Sequence, residues 1–320
     1  MKSEYAVPID TEQEQRQQET RLEKFREENS DLFEKNDLAL YAHLGMVLTL
    51  LAGLTTWVIA TPEVWLKIPL VCVSVLLWFA LINVTIHHHH THHNAAKSRF
   101  AQGLLNLLYL LVLPNAPKRK SRYVRAHLNH HARPFHETDV DHHHGTNRYL
   151  ALSRSLAGKI FYFLELTSVG AHVPGWQDDA YMNQVPLENW TRGDYEKVKE
   201  EERKEALKRA AFHWLLFLLG AWWIPPLAWG WGLPMLLVKN WAHYLGQFQH
   251  YDARFLNSSG TGLEKTKSFH VPAWLNYLSG GEISGHFLHH LFPELPYYKI
   301  EAARQRFLRD AYLSQTFVYY

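Results

Sequence analysis

Leu38–Ala60 (LALYAHLGMVLTLLAGLTTWVIA) and Val64–Ile86 are two apolar runs of 23 residues, separated only by Thr61, Pro62 and Glu63. A helix of that length matches the hydrocarbon thickness of a bilayer, about 30 Å. So short a link, with Pro62 as a breaker, forces the two helices into a tight antiparallel hairpin. Two buried helices of a large soluble core would be the competing reading. Neighbouring runs of this length with only Lys67, near one end, as a charge do not suit it.

Residues 210–248 form a further apolar stretch, too long for one span and interrupted by Pro225, Pro226, Gly230, Gly232 and Pro234. This reads as a second hairpin with spans at about 210–226 and 230–248, Lys239 and His243 being its polar exceptions. The expected architecture is all-α and membrane-integral: four transmembrane helices in two hairpins, and a cytosolic helical cap. Residues 87–209 are rich in Lys and Arg whereas both hairpin tips have none, which places this region and both termini in the cytosol. Residues 1–37 read as a charged N-terminal segment, a solvated helix or partly disordered tail without signal-peptide features, and 38–320 as a single catalytic domain. Leu104–Leu113 is apolar but too short to cross and lies in the interface or re-enters, as does Leu150–Val173. The basic group Lys118, Arg119, Lys120, Arg122 and Arg125 suits lipid headgroups.

The chemistry lies in histidine. Of the chain's 22 histidines, most cluster in or beside His88-x-x-x-His92, His127-x-x-His130-His131 and His286-x-x-His289-His290. Residues three and four apart share a helix face, so each box aims two or three imidazoles at one point. Lone histidines such as His43, His213 and His243 read instead as satisfied or solvated residues. With even numbers of crossings, all three boxes emerge on one membrane face. Eight imidazoles exceed the four ligands of one tetrahedral ion and suit two ions with open positions. Imidazole by itself fits iron, copper, nickel or zinc. The single cysteine, Cys72, excludes disulfides and cysteine-ligated clusters within the chain. A balance of 33 basic against 31 acidic residues gives no argument for nucleic acid as a partner.

HHHHTHHNAAKSR after a hairpin, then YVRAHLNHHARPFHETDVD, then GHFLHHLFPELPYYKI resemble, in order and setting, the membrane fatty acid desaturase and hydroxylase superfamily. The third is the most specific, with His-x-x-His-His followed by Leu291, Phe292, Pro293, Leu295 and Pro296. The resemblance covers roughly residues 40–305. It implies two iron ions (Fe2+/Fe3+) held almost wholly by histidine, O2 as co-substrate, and attack on an unactivated C–H bond. The ligands it implies are His88 and His92; His127, His130 and His131; His286, His289 and His290; and a ninth, His250, with His243 as competitor. His89 and His93 form an alternative register for the first box, but His88 and His92 leave Ser98-Arg99 at the usual distance. His136 and His142–His144 have no counterpart and read as surface groups. Glu137, Asp139 and Asp141 are candidates to orient the imidazoles.

Desaturation of a fatty acyl or similar long-chain lipid is the first reading. Hydroxylation and oxidative decarboxylation to a terminal alkene share the same boxes. A divalent-metal transporter is the reading from another class, but transport sites sit near the bilayer midplane, whereas these boxes lie beyond the spans. With no dinucleotide or haem motif, electrons must come from an external donor, a ferredoxin or b-type cytochrome with its reductase. Trp222, Trp223, Trp229 and Trp231 read as an interfacial belt.

Overall fold

The computed structural model describes residues 12–112 and 268–315 continuously. Between them it describes 124, 127, 128, 130, 131, 197, 200, 201, 204, 208, 211, 215, 218–220, 222–235, 237, 238, 245 and 249. Helix and its variants dominate, and no strand is formed among the described residues.

Helix α1 (Glu12–Glu28) leads through a 3-10 turn, Ser30–Phe33, to α2 (Asp37–Ala60), which turns at Thr61–Glu63 into α3 (Val64–Asn83). Asn36 caps α2, its Oδ1 accepting from the N–H groups of Leu38 and Ala39 at 2.9 and 3.2 Å. The Thr61 hydroxyl donates to the Trp57 carbonyl and helps to end α2 before Pro62. The hairpin expected from the two apolar runs is therefore formed. Both of its arms are long and apolar enough to span a bilayer.

Leu40, His43, Leu44, Val47, Leu51 and Val58 are buried along one stripe of α2. Leu48, Leu50, Trp57 and Ile59 are exposed, and only 28% of its most apolar stretch is covered by protein. A helix of a water-soluble core would be covered, so this surface suits lipid. The charge of Lys67 lies 4.8 Å over the ring of Trp229.

α3 runs into a π-helical segment, Val84–Thr91, which carries the start of the first box. The α-helical face assumed from the spacing is thus replaced by wider turns: the His92 N–H reaches the His87 carbonyl at 3.0 Å, and the N–H groups of Asn94 and Ala95 both reach that of His88. Single π turns inside helices often mark functional sites. α4 (Arg99–Val112) buries Ala101, Leu105, Leu108 and Tyr109 while exposing Phe100 and Leu107. It is a short helix with one buried and one exposed apolar face.

Of the stretch read as a second hairpin, residues 210–248, only part is described. There the break falls at Trp223–Ile224 rather than at 227–229, with helix resuming at Pro225 and passing through a π-helical segment, Leu227–Gly232. Pro lacks an N–H and is best tolerated where a helix begins, so Pro225 and Pro226 open this helix instead of ending the one before. Gly230 sits against Thr55, where an added Cβ would lie 2.3 Å from Thr55 Cγ2, and its carbonyl accepts from Trp78 Nε1.

α5 (Ala273–Leu278) turns through Gly280 and Gly281, both at positive φ, into α6 (Glu282–Leu291), the helix of the third box. Residues 282–290 are all buried. α7 (Ile300–Arg309) packs so closely on α6 that a Cβ at Gly285 would lie 2.0 Å from Ile300 Cγ2. The N-terminal segment is not a solvated tail on its inner face. Phe25 stacks on Phe292 and meets Phe307 edge-on, both at 5.6 Å, and Leu32 is buried. Arg21 pairs with Asp310, Arg306 with Asp31 at 2.6 Å and Arg26 with Glu294 at 3.1 Å.

Gly285→Ala should force α6 and α7 apart and destabilise the protein by about 1–3 kcal/mol. Thermal unfolding in detergent should show a lowered midpoint, largely restored when Ile300→Ala is added; an unchanged midpoint in the single variant would contradict this packing.

Candidate metal centre

Three chain segments supply the centre: the end of the first π-helical segment, the described residues around 127–131, and α6. Asp37 fastens the first of these, its carboxylate accepting from the N–H groups of Lys97 and Ser98 at 2.7 and 2.9 Å. The start of α2 thereby holds the chain that leaves the first box.

The coordinating atoms of His92, His127, His131 and His289 all lie within 4.8 Å of one another. With metal–nitrogen bonds of about 2.0–2.1 Å, ligands of one ion stand up to about 4.2 Å apart, so little movement would close this set on an ion. The Nε2 atoms of His127 and His131 are already 3.0 Å apart. His88 meets His289 edge-on at 5.0 Å between ring centres. On the other flank His290 stacks on His131 at 4.3 Å, with His130 at 4.9 Å and His286 at 4.7 Å. The eight box histidines in the described residues thus form one continuous group.

Hydrogen bonds fix which nitrogen of two rings faces inward. Asn94 spends its amide N–H groups on the carbonyls of Pro293 and Leu295, at 2.7 and 2.9 Å, so its Oδ1 accepts from His88 Nδ1 at 3.2 Å. The proton of His88 is therefore on Nδ1, and buried Nε2 keeps a bare lone pair with no hydrogen bond. Glu282 does the same for His286, accepting from its Nδ1 at 2.6 Å. The other oxygen of Glu282 takes the amide of Asn83 at 3.1 Å. Carboxylate and amide acceptors of this kind orient metal-bound imidazoles.

Protonation is suppressed as coordination requires. Burial, aided by His127, pushes His92 down to about 2. Burial likewise holds His131 and His289 well below the ordinary histidine range, His127 adding to the effect on the former and His131 on the latter. Burial alone would raise Glu282, but the charge and hydrogen bond of His286 bring it below its ordinary value. The nitrogens of His289, Nε2 of His92 and Nδ1 of His131 are buried without a hydrogen bond. Buried polar atoms rarely stay so without cause, and neutral imidazoles aimed at one another fit a transition ion.

Of the remaining histidines of the first box, His89, His90 and His93 point elsewhere, whereas His87 stays beside the cluster. His89 Nε2 bonds to Asn106 Oδ1 at 3.2 Å, and His90 lies 4.3 Å from the ring of Tyr109. His93, at positive φ, is exposed, and its carbonyl accepts from Lys35. His87 stacks on His127 at 4.7 Å. His43 is a satisfied buried residue, as a lone histidine was expected to be. His250, His243, His213, His136, His142–His144, Glu137, Asp139, Asp141, the basic group at 118–125 and the stretch 150–173 lie outside the described residues.

Glu282 and Asn94 are the functional residues that sequence reasoning missed. Glu282 stands four residues before His286, on the same helix face, and that spacing was the available signal. Asn94, two residues after His92, depends on a contact some 200 residues away along the chain and left no local sign.

A family model described as fatty acid desaturase matches residues 63–320, which takes in α3 and all three boxes. No curated protein matches the chain.

His289→Ala should abolish metal binding and His93→Ala should leave the metal content unchanged. Glu282→Leu should weaken affinity about 10- to 100-fold, with Glu282→Gln losing less because its amide oxygen still accepts. Metal analysis of purified protein and titration of the metal-free form check these; equal losses in His93→Ala and His289→Ala would contradict the geometry.

Proposed function

The chain belongs to the fatty acid desaturase family, and from that premise we propose that it is a multi-pass membrane enzyme carrying out O2-dependent, di-iron oxidation of an unactivated C–H bond in a fatty acyl or similar long chain, with desaturation as the outcome. The observation that carries this reading is the convergence of His92, His127, His131 and His289, drawn from all three boxes, at one buried point. These four would hold one iron. His88, His130, His286 and His290, with His250 as a ninth ligand, would supply the second. When bound, the irons with O2 and donor electrons supply an oxidant able to remove hydrogen from a saturated carbon.

The chain's own residues hold and shield that chemistry. Asn94 and Glu282 keep His88 and His286 in the tautomer that directs Nε2 inward. Burial excludes water, which would otherwise compete for the oxidising equivalents. The exposed apolar surface of α2 and α3 meets membrane lipid, and the boxes stand where α3 ends, so a chain rising from the bilayer would arrive beside the site. Both termini and the metal site are assigned to the cytosolic face, where a ferredoxin or b-type cytochrome would deliver electrons. Hydroxylation and decarboxylation to a terminal alkene would use the same ligands and differ in how the chain is presented.

Membranes containing the protein, supplied with O2 and a reducing system, should gain unsaturated acyl chains, and His130→Ala or His289→Ala membranes should not. Two irons per chain are expected. A lipid profile without new unsaturated or oxygenated products, in protein that carries both irons, would overturn the reading.

A further inference from the structure

Beyond the ligands lies a buried pair of titratable groups that coordination does not use. His43, fully buried in α2, donates from Nε2 to the Tyr277 carbonyl at 2.9 Å. A carbonyl only accepts, so the proton is on Nε2 and Nδ1 is a bare acceptor. The Tyr297 hydroxyl therefore donates to Nδ1, also at 2.9 Å. Tyr297 is 2% exposed, and its ring lies 5.4 Å from that of His88, which meets His289 at 5.0 Å. Phenylalanine and leucine would fill the same space without polar atoms to satisfy.

A phenol gives up an electron readily only if its proton has somewhere to go, and inside a dry core that place must be built in. Here it is the neutral imidazole of His43, one hydrogen bond away. Tyr298, 5.1 Å from Tyr297 between ring centres, makes a useful contrast: its hydroxyl accepts from the Asn36 N–H at 2.6 Å and meets no imidazole acceptor among the described residues.

We propose that Tyr297 and His43 form a redox-active pair that discharges the oxidised metal centre when no acyl chain is bound. The inference rests on the O2-dependent reading above, dioxygen being the oxidant. In the step, the Tyr297 O–H bond breaks. Its electron passes by way of the contact with His88 to the centre, which is reduced by one electron, and its proton crosses to His43 Nδ1. Tyr297 is left as a neutral phenoxyl radical and His43 as an imidazolium whose Nε2–H still donates to Tyr277. One electron from the external donor and return of the proton restore both residues.

The test is freeze-quench electron paramagnetic resonance on iron-loaded protein in nanodiscs, reduced and then exposed to O2 without acyl substrate. A tyrosyl radical is expected in the wild type and in Tyr298→Phe, and none in Tyr297→Phe. His43→Phe, which keeps bulk but removes the acceptor, should lower the yield by at least about tenfold, because the oxidised pair loses the hydrogen bond from the imidazolium to the phenoxyl oxygen. Metal-free protein oxidised by a flash-generated ruthenium polypyridyl complex gives the second arm, with unfolding midpoints confirming that each variant folds. A radical dependent on Tyr297 in that arm, with iron that O2 fails to oxidise, would uphold the redox-active pair while overturning the O2 reading. Oxidation of the iron by O2 with no radical dependent on Tyr297 would overturn the discharge role, and its absence from both arms would overturn the pair.

Discussion

A buried imidazole holds a metal best when its other nitrogen is given a fixed acceptor, and where that need is met it ties the molecule together. Asn94 and Glu282 meet it for His88 and His286. Each does so by binding parts of the chain far apart in sequence. Asn94 joins the end of the first box to the backbone after the third, and Glu282 joins α6 to Asn83 at the end of α3. Gln249 adds a third element by donating to the Glu282 carbonyl at 2.7 Å. The bonds that set the tautomers are therefore also the bonds that bring the boxes together, so metal affinity and assembly of the site would be coupled.

The hairpin supplies the platform for this arrangement. Helices long and apolar enough to cross a bilayer must satisfy their backbone internally, and α2 and α3 are two such helices joined in one hairpin. The π-helical turns at Val84–Thr91 then displace the first box from the α-helical path. His88 and His92 face the shared centre, while His89 and His90 turn toward α4. On the opposite side, Gly281 and Gly285 let α7 and the Tyr297 backbone approach α6 more closely than any side chain would allow. Close packing there is what buries the whole third box.

Much of this was legible in the sequence because its causes are local. Two long apolar runs and a Pro-containing link specify α2, α3 and their turn. Histidines three and four apart specify which rings share a face. The break near Pro225 was displaced because a proline pair signals a boundary without saying on which side the helix lies. The π-helical turns were hidden because His-x-x-x-His suits an α-helix as well. Phe25 docking on Phe292 was hidden too, since one aromatic residue in a strongly charged helix carries no periodic signal.

Charge explains why so much polarity can be kept in so dry a place. Two divalent ions surrounded by neutral imidazoles would leave a large uncompensated positive charge, and low-dielectric surroundings make such charge costly. Among the described residues Glu282 is the one buried carboxylate, and it stands directly behind a box histidine. Its hydrogen bonds from Asn83 and His286 favour the ionised form against the effect of burial, so it offsets part of that charge without occupying a coordination position. A carboxylate placed as a ligand would neutralise more but would also lower the potential of the metal. Held behind His286, it would steady the site while leaving the ligand field to nitrogen.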